Sequence, residues 1–201
     1  NENVLGDFSN KTLSFHNLET RLYKKKDAFW VETVNAKGEK QQFPVLYTFG
    51  FKPLQQYIVD IGQGHWQVLN VAWDAREKEQ GGQRWFHLQP DEDITPEHPF
   101  FWAGHFQNWN SRCADCHSTN VRKNYDKQSH SYNTSFSESN VACEACHGPA
   151  GDHLSLARTG KLIGDNPNGF FKSPSEYNYI DTCGGCHSRR SRSTKYRMTG
   201  Q

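Results

Sequence analysis

The chain has 201 residues, enough for one sizeable domain or two small ones. Its formal net charge is +1, which points to no nucleic-acid partner and no strongly acidic one. Only 34% of its residues are hydrophobic, and no run approaches the ~18 apolar residues that a transmembrane helix needs.

The N-terminal part predicts an antiparallel sheet. Its first residues, NENVLGDF, carry no basic or apolar leader, so we interpret the chain as a mature or excised product. Residues 11–75 alternate polar with aromatic or β-branched residues, and KKKD, NAKGEK and GQG interrupt them as turn signals. This pattern predicts five or six antiparallel strands. Residues 77–99 are interpreted as a loop-rich connector, so we expect a β-rich subdomain over residues 1–99.

The C-terminal part, residues 100–201, is poor in aliphatic side chains. From Ala103 onward the chain holds only seven Val, Leu and Ile residues: Val121, Val141, Leu154, Leu156, Leu162, Ile163 and Ile180. Seven aliphatic residues cannot supply a normal core for such a length. This part must therefore be disordered, cross-linked or built around something other than protein. We expect short helices and loops here, so the predicted fold class is α+β.

All six cysteines lie in this part, and each belongs to a Cys-x-x-Cys-His motif. The motifs are CADCH at 113–117, CEACH at 143–147 and CGGCH at 183–187. A disulfide framework is one alternative, but loops this short remove little chain entropy. A zinc site is a second alternative, but a tetrahedral site takes two cysteine pairs, so the third pair would have no partner. Zinc also does not require a histidine directly after the second cysteine of each pair. Thioredoxin-like chemistry explains one pair, in a βαβ setting that the sequence does not show.

Covalent c-type haem accounts for both the cysteine spacing and the histidine that follows. The two-residue gap places the sulfurs about one helical turn apart for two thioether bonds, and the next residue lies under the iron as proximal ligand. Three haem c groups also bring the apolar surface that this part of the chain lacks. The predicted attachment residues are Cys113, Cys116, Cys143, Cys146, Cys183 and Cys186, and the predicted proximal ligands are His117, His147 and His187.

Each iron has a sixth position, for which seven histidines are candidates: His16, His65, His87, His98, His105, His130 and His153. The only methionine is Met198, near the end of the sequence, so bis-His ligation is favoured over His/Met. His87 lies between bulky apolar residues in QRWFHL, as His16 does in LSFHNL, and His153 follows the second motif closely enough to serve a neighbouring haem. We predict His16, His87 and His153 as distal ligands, with His105 in reserve.

Five segments resemble multihaem cytochromes c related to the tetrahaem cytochrome c-554 family, in the branch that carries tetratricopeptide repeats. They are YTFGFKPLQQY, AWDAREKEQGGQRWFHL, QNWNSRCADCHSTNVRKNYD, SNVACEACHGPAGDH and CGGCHSRRS. The resemblance implies closely stacked bis-His haems in an extracytoplasmic protein, and it also favours His16, His87 and His153. Relatives usually carry another CxxCH segment upstream and further regions downstream, so we expect a shortened homologue or a fragment.

The leading functional hypothesis is a periplasmic or extracellular electron carrier that passes electrons between its haems and other redox proteins. One alternative is a haem enzyme in which an open iron site reduces or oxidises a small nitrogen or sulfur compound. The run HSRRSRSTKYR at 187–197 would then attract an anionic substrate, although it equally suits haem propionates or solvent. A second alternative is a subunit of a larger or polymeric electron-conducting assembly, formed with other haem subunits or with further copies of this chain.

Overall fold

The computed structural model describes residues 3–160 and 176–188, except the side chains of 176–179 and 181. The chain divides into two compact units. The first comprises Asn1–Arg112 and Asp126–Tyr132, and the second comprises Cys113–Tyr125 and Asn133–Gln201. The predicted domain boundary at 99/100 stays a prediction.

Seven antiparallel strands form the first unit, and each pairs with the next along the chain. They are β1 (Lys11–Phe15), β2 (Leu18–Lys25), β3 (Ala28–Val34), β4 (Lys40–Phe49), β5 (Leu54–Asp60), β6 (Trp66–Asp74) and β7 (Arg84–His87). Two-residue turns join β1 to β2 and β2 to β3, and their first residues, His16 and Lys26, have φ of 49° and 55°. Six strands over residues 11–74 confirm the predicted antiparallel sheet.

Alternating apolar residues give the strands a buried face. In β3 every second residue points into the core, and Val31 faces Leu22 of β2 with both fully buried. Almost all of β6 is buried, because the rest of the unit covers both of its faces. Burying each large apolar side chain contributes about 1.5–3 kcal/mol. The core cluster comprises Phe8, Leu22, Phe29, Val31, Phe43, Tyr57, Val59, Leu69, Val71, Trp73, Ala75, Trp85, Ile94, Phe101 and Trp102.

The sheet curls until its first and last strands approach each other, which makes the unit a near-barrel. The ring of Phe15 at the end of β1 lies 5.1 Å from the ring of His87 at the end of β7. The loop-rich connector predicted over 77–99 contains one strand that the sequence analysis did not predict, β7, which is four residues long and hydrogen-bonded to β6. Trp85 and His87 stand two residues apart on the inward face of this strand, and both are buried.

The segment that leads to the first motif is held against β6 by two buried amides. Gln67 donates to the carbonyls of Ala103 and Gly104 at 2.7 and 3.1 Å, and Asn70 donates to the carbonyl of Phe100 at 3.0 Å. After a 3-10 turn at His105–Gln107, α1 (Trp109–Arg112) begins. These contacts hold residues 100–104 against β6, ahead of the first motif.

The remaining elements are short, as predicted. They are α2 (Ala114–His117), the hairpin β8 (Tyr125–Asp126) and β9 (Ser131–Tyr132), α3 (Cys143–His147), α4 (Gly151–Arg158) and α5 (Glu176–His187). Among the described residues of the second unit, the buried apolar side chains are Ala114, Val121 and Ala145. Within the described part of the chain, no helix is both long and apolar enough to cross a membrane.

Candidate haem sites

All three CxxCH motifs adopt the same local structure, a helical turn that ends at the histidine. The first occupies α2 with Cys113 as its N-cap, the second is α3 itself, and the third forms the last turn of α5. In each, the two cysteines and the histidine stand at positions i, i+3 and i+4, which lie on one face of a helix. Two thiols and an imidazole are thereby presented together to one ligand, as haem c requires.

The end of the first motif is bonded to the segment that precedes the second. Thr119, only 1% exposed, donates its hydroxyl to the carbonyl of Asn140 at 2.8 Å and accepts the amide hydrogen of Ala142 at 2.9 Å. The backbones of Thr119 and Glu138 are also hydrogen-bonded, at 3.0 Å. Since Ala142 is the N-cap of α3, Thr119 fixes the start of the second motif relative to the first.

The first motif also contacts the third. The Cys116 sulfur lies 3.9 Å from the carbonyl oxygen of Gly185, which stands between the two cysteines of the third motif. The first motif is therefore bonded to the start of the second on one side and touches the third on the other.

The three histidines predicted as proximal ligands are accessible at the ends of their helices. His117, His147 and His187 are all exposed. Neighbouring protein atoms nevertheless shield the His117 ring from water and lower its pKa below the usual 6.5. Its neutral form, which binds metals, therefore predominates at neutral pH.

His16 is exposed on the two-residue turn between β1 and β2. Its Nε2 lies 3.3 Å from the carbonyl oxygen of Pro90, and a carbonyl can only accept, so Nε2 is the protonated nitrogen. Nδ1 is then the ring nitrogen that could ligate a metal while Nε2 bonds a carbonyl, an arrangement common among metal-ligating histidines.

His87 has a different environment. The residue is 6% exposed, and its Nδ1 accepts the amide hydrogen of Gln89 at 3.1 Å. Burial lowers the pKa of His87, so the ring is neutral and carries its proton on Nε2. A ring held in this way has no bare nitrogen for iron. Iron ligation by His87 stays a prediction, and it requires the ring to give up the bond to Gln89.

His153 is exposed on α4, six residues after the second motif. Leu154 beside it is 50% exposed. The reserve candidate, His105, is exposed as well, and its Nε2 contacts the guanidinium of Arg112. The charged run at 189–197 and Met198 lie outside the described residues, so the predictions about them are unaffected.

Three features of the described second unit fit covalent haem. Its few buried apolar residues include two alanines, so the protein itself supplies little core. Large apolar side chains stand exposed near the second and third motifs: Val141 at 50%, Leu154 at 50% and Ile180 at 65%. Paired thiols and an adjacent imidazole recur three times with the same helical spacing. A porphyrin would cover the apolar side chains and occupy the donors at once.

The three motifs and their helical turns fit a domain that binds c-type haem. In a comparison with protein families, the model described as Cytochrome c554 and c-prime matches residues 77–148, so this part of the chain is similar to that family. That range includes β7, the connector and the first two motifs. No curated protein and no solved structure matches the chain.

Sequence reasoning missed two residues that position the motifs. Asn108 accepts hydrogen bonds from the Ser111 amide and hydroxyl at 2.9 and 2.7 Å, and so caps α1 just before Cys113. The NWNS segment carries this signal, since an Asn often precedes a helix and bonds its third residue. Thr119 had no comparable signal, because its partners lie about twenty residues away.

Proposed function

We propose that this chain is an extracytoplasmic electron-transfer cytochrome with three covalently attached haem c groups. The observation that carries the proposal is the recurrence of one helical Cys-x-x-Cys-His turn, twice within the cytochrome c554 domain and once beyond it. The extracytoplasmic location rests on the chemistry of haem attachment to CxxCH, which takes place outside the cytoplasm.

In electron transfer the protein would bind the haems, orient them and shield them from water. Each cysteine pair would fix one porphyrin through thioether bonds, and His117, His147 and His187 would hold the irons from one side. The haems supply the reversible one-electron chemistry when bound. Thr119 and the Cys116–Gly185 contact keep the motifs close, so the site on the first motif would stand between the other two. Short distances between neighbouring sites suit a carrier that performs no bond chemistry.

For the sixth positions we propose His16 and His153, because both rings are exposed and His16 presents its Nδ1. His87 remains the third residue predicted from the sequence, and His105 the reserve. Membership of the tetratricopeptide-associated branch, docking to other redox proteins, and assembly into an oligomer or polymer are proposals that rest on the sequence resemblance alone.

The bond that occupies Nδ1 of His87 favours one second candidate function. If neither His87 nor the reserve candidate His105 ligates an iron, the sixth position of one haem stays open and can bind a small nitrogen or sulfur compound. Low-temperature electron paramagnetic resonance of the oxidised protein separates the two. Three low-spin ferric signals support the carrier, and one high-spin signal among them supports the enzyme. A sample with no haem signal at all contradicts both.

A further inference from the structure

A small cavity lies inside the near-barrel, and no residue of a CxxCH motif lines it. Residues of β1, β2, β3, β6 and β7 line it, and Trp102 closes one side. Its internal volume is about 20 Å³, and a site of about 10–15 Å³ is enough for one water molecule. Most of its wall is apolar, but four polar side chains interrupt it: Thr20, Thr33, Asn70 and His87.

Asn70 provides a buried acceptor that the protein leaves unused. The residue is 5% exposed, and its Nδ2 donates to the side chain of Gln89 at 3.1 Å and to the carbonyl of Phe100 at 3.0 Å. Those two acceptors fix the orientation of the amide. No donor among the described residues reaches Oδ1, which is fully buried. A buried carbonyl oxygen in this state is stabilised by any donor that can enter the cavity.

The other polar side chains provide donors. Nδ1 of His87 accepts the Gln89 amide hydrogen, so the proton of the neutral ring is on Nε2. The hydroxyls of Thr20 and Thr33 lie 3.0 Å apart and share one hydrogen bond. Two hydroxyls carry two hydrogens, so one of them is left for another acceptor.

We propose that this cavity binds one ordered water molecule. The water donates to Oδ1 of Asn70 and accepts from Nε2 of His87 and from the threonine pair, so that it joins β2 and β3 to β6 and β7. The cavity has room for a single small molecule with both donors and acceptors, which excludes an apolar gas as the preferred occupant. This assignment gives Nε2 of His87 a partner inside the sheet and competes directly with iron ligation by the same residue.

A crystal structure of the holoprotein at a resolution that shows ordered water tests the proposal. The expected result is one density peak within hydrogen-bonding distance of Oδ1 of Asn70 and Nε2 of His87. An empty cavity, or His87 bound to an iron, overturns it. Nitrogen NMR of the reduced, diamagnetic protein gives a second reading that needs no variant, because it identifies the protonated ring nitrogen. A proton on Nε2 supports the proposal, and a proton on Nδ1 overturns it.

The variant Asn70→Leu replaces the amide by an apolar side chain of similar size and so removes the acceptor. Its crystal structure should show the cavity without the water, with the parent crystallised in parallel as the control. Water retained at the same place in Asn70→Leu would contradict the role of Oδ1. If this variant does not fold, the two measurements on the parent still decide.

Discussion

Replacing His87 by alanine separates its two possible roles. In the structure the side chain of His87 is a buried part of the near-barrel, with its ring 5.1 Å from that of Phe15 and its Nδ1 accepting the Gln89 amide. We therefore expect His87→Ala to weaken the fold of the first unit and to leave the haem spectrum the same as that of the parent.

The size of the loss follows from two contacts. The Gln89 amide loses its acceptor, and an unmet buried donor costs about 1–3 kcal/mol. The ring contact with Phe15 also disappears, and an aromatic pair contributes about 0.5–1.5 kcal/mol. Together the free energy of unfolding should fall by about 1.5–4.5 kcal/mol, a large part of the ~5–15 kcal/mol of a typical domain.

The assay is a urea titration followed by far-ultraviolet circular dichroism, with absorption and paramagnetic resonance spectra of the same samples. Lys26→Asn is the matched control, because Lys26 is exposed on the turn between β2 and β3 and asparagine tolerates its positive φ of 55°. This control should lose less than about 0.5 kcal/mol, as surface substitutions do. A separate variant, His16→Asn, should produce a high-spin ferric signal and bind CO when reduced if His16 is a distal ligand.

The reasoning fails if His87→Ala gives that high-spin signal and CO binding at unchanged stability. His87 would then ligate an iron, as the sequence predicts, and its hydrogen bond to Gln89 would be broken in the holoprotein.

Three further outcomes are expected. Tyr57→Phe should lower the free energy of unfolding by about 1–3 kcal/mol, because the buried Tyr57 hydroxyl accepts the amide hydrogen of Gly6 at 2.9 Å. Tyr23→Phe is the control and should leave the free energy of unfolding nearly unchanged, because the buried Tyr23 hydroxyl has no hydrogen-bond partner among the described residues. Thr119→Val should cost about 1–3 kcal/mol and raise amide hydrogen exchange at the start of the second motif, and unchanged exchange would refute the link between the two motifs. The hydrogen bond from the Arg76 side chain holds the pKa of Asp74 at about 2, below the ordinary 3.8. The ionised Asp74 therefore stabilises the fold above pH 3.8, and this contribution is lost as the pH falls toward 2. The free energies of unfolding of the parent and of Arg76→Ala should therefore converge between pH 3.8 and pH 2.

The sequence predicts the sheet well because its signals are local. Alternation of apolar residues and turn residues such as those of GQG determine strands and hairpins, and six of the seven strands fall within the predicted range. The seventh, β7, is four residues long and stands among Gly, Gln, Pro and acidic residues. Its pairing with β6 depends on a tertiary fit that no local pattern in this segment encodes.

The candidate sites divide in the same way. The CxxCH turns are local, so their residues could be predicted directly. The contact of Cys116 with Gly185 joins residues that are 69 apart in the sequence, and no periodic pattern of residues predicts it. The surroundings of His87 were read correctly as apolar, but apolar neighbours are as typical of a core residue as of a haem ligand. The bond from Gln89, two residues further on, is what tells these environments apart.

The central claim is that each motif carries one covalent haem, and the intact mass of the purified holoprotein under denaturing conditions tests it most directly. We predict a mass equal to the 23.2 kDa polypeptide plus three haems, with one haem lost when both cysteines of any single motif are replaced by alanine. A mass equal to the polypeptide alone, or a haem count that does not fall with the motifs removed, would contradict it.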